Sequence, residues 1–120
     1  MKHLTLLTLL ILALTLLILA APFGWGEIGV RDYEAFIYGG LLLKPSVDHM
    51  ETWPDLFLSN STYIPFKWDF SDIEEKINLV LENKNIFKQT SEEGQRKYLE
   101  SISHVGMENF INRFKKCLED

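Results

Sequence analysis

The chain has one cysteine, Cys117, so no intramolecular disulfide holds its fold. With no histidine flanking it, Cys117 reads as a half-buried helix residue and not as a reactive thiol. Histidine is equally scarce. His3, His49 and His104 are scattered, and no metal-ligand spacing joins them to Asp or Cys, so no metal site is expected. Basic residues are in deficit, 12 against 17 acidic ones for a formal net charge of -5, and the longest basic run is Lys115-Lys116. That balance excludes a nucleic-acid binder. With 120 residues the chain is long enough for one small domain.

Charge is missing altogether from Leu4 to Ala21, "LTLLTLLILALTLLILAA". As a helix this run would be about 27 Å long, close to the hydrocarbon thickness of a bilayer. Its polar residues, Thr5, Thr8 and Thr15, fall on one helical face. Lys2 supplies a minimal positive start, but cleavage after Ala20 or Ala21 would leave Ile18 or Leu19 where a small residue is wanted. An uncleaved N-terminal membrane anchor is therefore the expectation, ahead of a secreted protein. The competing reading is a buried parallel strand, which also reads as a continuous apolar run. "LLILAAP" would then feed the glycine loop that follows, and the protein would be cytoplasmic.

Beyond Pro22, Gly24, Gly26 and Gly29 make a flexible loop, and a helix is expected from about Gly29 to Tyr38, stopped by Gly39-Gly40. "LLLK" (Leu41 to Lys44) reads as a short buried strand. "TYIPF" (Thr62 to Phe66) reads as a second, ended or placed at an edge by Pro65. "SDIEEKINLVLENKN" opens with an apparent capping box, Ser71 as cap and Glu74 reaching back. Ile73, Ile77, Val80 and Leu81 form its apolar stripe. Two more helices follow, about 86–102 with Gly94 as a weak point and about 105–118, the second with Met107, Phe110, Ile111, Phe114 and Leu118 on one face. Alternating strands and helices point to α/β with a parallel sheet. The division expected is an apolar segment, 1–21, and the remainder, 22–120.

A glycine loop entering a helix suits an anion, because amide groups can approach the ligand and the helix start is partially positive. Arg31 in the first turn adds a bidentate grip on phosphate oxygens. Glu34, one turn on, can accept from sugar hydroxyls. The plainer reading is a surface helix on which Arg31 and Glu34 pair with each other, and spacing alone favours it. Asp48-His49, after the "LLLKP" strand, is a further candidate contact. Trp25, Trp53 and Trp68 read as packing residues.

"FGWGEIGVRDYEAFIYGGLLLKP", then "METWPDLF", "TYIPFKWDFSDIEEKI" and "FINRF", resemble the C-terminal portion of group 1-type glycosyltransferases of the GT-B fold, in their spore-maturation-protein-like branch. The resemblance runs from about Pro22 to the end. It implies a partial Rossmann-like half-domain with a helical C-terminal end, preceded here by an apolar N-terminal helix. It also implies a nucleotide-sugar donor as substrate, a glycosyl acceptor of unspecified kind, no bound metal and no separate cofactor. By resemblance Gly24, Gly26, Glu27, Arg31 and Glu34 are donor-binding. Arg31 is the catalytic residue, neutralising the leaving diphosphate, and Glu34 receives the ribose. The interval from Glu27 to Glu34 is one residue shorter than the family's. The acceptor-binding domain and the first strands of the donor domain have no counterpart in these residues. An incomplete enzyme is the expectation, and a small membrane-anchored interaction protein is the alternative.

Overall fold

A computed structural model of the chain describes residues 17–19 and 28–119. Their order is β1 (Leu17–Leu19), α1 (Val30–Tyr38), β2 (Leu41–Pro45), β3 (Ile64–Phe66), α2 (Ile73–Glu82), α3 (Lys84–Ser101) and α4 (His104–Glu119). The architecture is mixed α/β around a small parallel sheet of order β1-β2-β3. Leu17 lies opposite Leu41, and Leu43 opposite Ile64. Within the apolar run, Leu17–Leu19 are thus strand and not the helix expected there, because their backbone pairs with β2. The rest of the run lies outside the described residues.

Alternation along β2 separates two apolar layers. Leu42 packs with Ala35 and Phe36 of α1 and with Val47, Leu56, Phe57 and Tyr63. Leu41 and Leu43 face the other way, with Ile64, Phe66 and Val80 and with partly buried Ile73, Ile77 and Phe87. Every residue of β2 is buried, as both faces of a parallel strand must be when helices cover them. Pro65 lies on β3, an outer strand, where a missing N–H does no harm.

Helix α1 stops where glycine allows it. Gly39 takes φ +71°, and Gly39 and Gly40 donate to the carbonyls of Phe36 and Ala35. The expected capping box at Ser71 does not form. Helix α2 starts at Ile73 with Asp72 before it, and the Asp72 carboxylate instead accepts the Lys67 N–H at 2.8 Å. Ser71 donates its own N–H to Asp69 at 3.0 Å, and this bond holds the exposed Asp69 carboxyl below its usual pKa. Asn83 then breaks the helix with φ −128°, earlier than the sequence suggested. Cys117 is exposed, because α4 buries none of its residues.

Helix α3 touches both layers, Phe87 in one and Tyr98 in the other. Gly94 makes this possible: a Cβ there would stand 2.8 Å from the Phe36 ring and 3.0 Å from the Thr62 carbonyl oxygen. Gly94→Ala is therefore expected to destabilise the fold by about 1–3 kcal/mol despite alanine's better helix propensity, since Phe36 is fully packed and cannot yield. Chemical denaturation of the two proteins checks this. An unchanged or raised midpoint would contradict it.

Candidate functional site at the carboxyl edge of the sheet

Because α1 runs back to the start of β2, its own first turn lies at the end where β2 and β3 stop. A buried ion pair makes that connection. Lys44 Nζ sits 2.8 Å from Asp32 Oδ2, and both side chains are almost wholly shielded from solvent. The same carboxylate oxygen accepts the Gly29 N–H at 2.9 Å, while Asp32 donates its own N–H to the Gly29 carbonyl. Asp32 thus closes the helix start as an acidic N3 residue does, and its charge suits the positive helix end. The Lys44 ammonium also lies 5.3 Å from the centre of the Phe57 ring.

Around this pair the loop after β2 is held by side chains. Buried Tyr63 accepts the Val47 N–H at 3.1 Å through its hydroxyl, which lies 3.1 Å from Ser59 Oγ. Ser59 donates to Asp48 Oδ1 at 2.6 Å. Trp68, after β3, donates its indole N–H to the Ser46 carbonyl at 2.8 Å, and its ring meets His49 edge-on at 6.0 Å. Thr62 accepts the Leu58 N–H and donates to the Leu56 carbonyl, which folds the intervening turn. Asp48 and His49, weighed as candidate contacts, belong to this rim and are exposed.

Of the candidate donor-binding residues, Arg31 and Glu34 are both on α1 and exposed. They do not form the ion pair with each other that spacing alone favoured. Gly24, Gly26 and Glu27 lie outside the described residues. Sequence reasoning missed Asp32 and Lys44, yet a signal was present. A lysine inside "LLLKP", an otherwise apolar strand, demands a buried partner. Among the described residues no three His, Cys, Asp or Glu side chains gather as a metal-binding group. No described helix is long and apolar enough to cross a membrane. A cavity of about 490 Å³, floored by Leu41, Val80, Leu81 and Phe87, opens beside the start of β2, the end of that strand away from Arg31.

A scan against protein-family models finds no match, and searches of curated proteins and of solved structures find none either.

Two outcomes test the site's construction. Lys44→Met should cost about 3–5 kcal/mol, because it strands a buried carboxylate. Adding Asp32→Leu should recover part of that loss, which a double-mutant denaturation cycle would read. Burial first, and the Asp32 carboxylate second, raise the Tyr33 phenol above its ordinary pKa. The native state therefore holds this proton more tightly than the unfolded chain. Its contribution is complete below pH about 10 and is lost as pH rises through the folded-state value. Tyr33→Phe should flatten the alkaline limb of the stability profile, measured by denaturation between pH 8 and 11 (about the range needed). An unaltered limb would contradict the shift.

Proposed function

We propose that the chain is the donor-binding region of a glycosyltransferase-like protein of the GT-B type, holding the diphosphate and ribose of a nucleotide sugar. The observation that carries this reading is the position of α1. Its first turn, with Arg31 exposed and Glu34 one turn on, stands at the carboxyl edge of a parallel sheet, where open α/β folds bind ligands. The glycine-rich sequence leading into that turn and the resemblance of the flanking blocks support it. In this reading Arg31 meets the phosphate oxygens with charge-assisted hydrogen bonds, and the helix start adds its partial positive charge. Glu34 accepts hydrogen bonds from the ribose hydroxyls. Departure of the sugar leaves negative charge on the diphosphate, and Arg31 is the residue that would stabilise it.

One observation favours the second reading, an interaction protein without nucleotide binding. The Asp32 carboxylate already takes the Gly29 N–H, an amide that an anion at the helix start would otherwise use.

Titration of the full chain with uridine diphosphate, followed by amide NMR, separates the two. A site making about half of a complete set of donor contacts should bind at roughly millimolar concentration. Shifts should gather between Gly24 and Glu34. Arg31→Ala should weaken binding by about 1.5–3 kcal/mol, and Glu34→Gln by less, since an amide oxygen still accepts from a hydroxyl. Absence of shifts there at millimolar diphosphate, in a folded sample, would leave the interaction protein as the better account.

A further inference from the structure

Helix α4 is amphipathic, and its apolar stripe is largely exposed. Met107, Phe110, Ile111, Phe114 and Leu118 recur at helical spacing, and their exposures range from 43% for Phe110 to 72% for Leu118. The helix meets the body along one edge of that stripe. Phe110 stacks on Trp53 with ring centres 5.8 Å apart, Arg113 lies over the same ring at 5.2 Å, and Arg113 reaches Glu51 at 3.7 Å. At about 100° per residue, Met107, Ile111, Phe114 and Leu118 centre roughly a third of a turn away from that contact side. Among the described residues nothing buries these four side chains.

We propose that α4 is the interface of a homodimer in which two copies pack antiparallel through Met107, Ile111, Phe114 and Leu118, each Glu108 opposite the second copy's Lys115. Charge pattern selects this occupant. Glu108 and Lys115 are seven residues apart on the flank of the stripe that faces away from the body, both are exposed, and neither has an ion-pair partner among the described residues. A two-fold axis near Ile111 and Asn112 brings each acid to the other copy's base, so the surface complements itself. A parallel pair would instead set these charges toward the second copy's Phe110 and Cys117 flank. A membrane surface fits less well, because the polar side mixes Glu108 and Glu119 with Arg113, Lys115 and Lys116 and carries no basic face. The stripe offers on the order of 500 Å² of apolar surface per copy, about 1,000 Å² for the pair, at the lower limit for a specific interface. The dimer should accordingly be of moderate affinity and concentration-dependent.

Sedimentation velocity of the full chain across a concentration series tests the proposal. A reversible monomer–dimer equilibrium is expected. Ile111→Asp should weaken it by about a hundredfold or more, by burying a charge in the seam. Glu108→Lys and Lys115→Glu should each weaken it about tenfold through like-charge contacts at two symmetric sites, and the double exchange should restore it. That restoration is a result that loss of folding cannot imitate. A monomer at every concentration would overturn the proposal. So would association indifferent to all three substitutions, which would place contact elsewhere, the apolar run from Leu4 to Ala21 included. A monomer that binds phosphatidylglycerol vesicles through Ile111 and Phe114 would overturn it in favour of a lipid surface.

Discussion

The Asp32–Lys44 pair is the constraint on which the candidate site depends. Two opposite charges meet at 2.8 Å inside an apolar layer, against the Phe57 ring. Such a pair adds little net stability over an apolar substitute of the same volume, because desolvation offsets most of the attraction. What it fixes is position. Lys44 emerges near the end of β2 and Asp32 from the first turn of α1, so the pair sets where that helix begins relative to the strand. The Gly29 N–H, bound to the same oxygen, ties the entering chain to the same point. Sliding α1 by one residue would rotate Asp32 by about 100° and leave a lysine ammonium buried away from its carboxylate.

Given that anchor, the remaining contacts of α1 have little freedom. Ala35 and Phe36 meet Leu42 and Tyr63 beneath the helix, and α3 lies against Phe36 at the distance that Gly94 permits. Gln95 Nε2 reaches the Ile37 carbonyl at 3.2 Å, which holds the far end of α1 to α3. One end of α1 is thus fixed by charge and the other by close packing. Arg31 and Glu34, on the outer side, are carried by a helix that cannot easily rotate.

Periodicity and punctuation made most of the helices and strands legible. Gly39-Gly40 ended α1, Pro65 lies on an outer strand, and "LLLKP" is a strand buried throughout. Signals with two local solutions were misleading. Ser71 with Glu74 matched a capping box, but Asp69 and Asp72 took the Ser71 and Lys67 amides, and the helix began one residue later than that cap implies. The length of the apolar run favoured a helix over a strand, although periodicity could not separate them, and the pairing of Leu17–Leu19 with β2 decided for strand at those three residues alone. Cys117 looked half-buried because α4 carries a full apolar stripe; sequence marks such a face but not what covers it. In the candidate site, Arg31 and Glu34 were legible as exposed polar residues on a helix start. Asp32 was not, because an acid in a first turn is ordinary until a lysine twelve residues away turns out to be buried beside it.

The charges around that first turn bear directly on how an anion would be received. Asp32 alone would repel one, and it sits where the helix end is most positive. Lys44, in contact with it, offsets that charge, and the peptide dipoles and Arg31 are what draw an anion to the helix start. Arg31 is exposed and can follow a ligand, whereas the Asp32–Lys44 pair is buried and held in place by its surroundings. Glu34, a turn further along, gives the same surface a negative end. An entering molecule with phosphate at one end and hydroxyls at the other meets matching signs along α1, and the reverse orientation sets phosphate against a carboxylate. Under the donor reading this polarity orients the ligand, with the diphosphate at Arg31 and the ribose at Glu34.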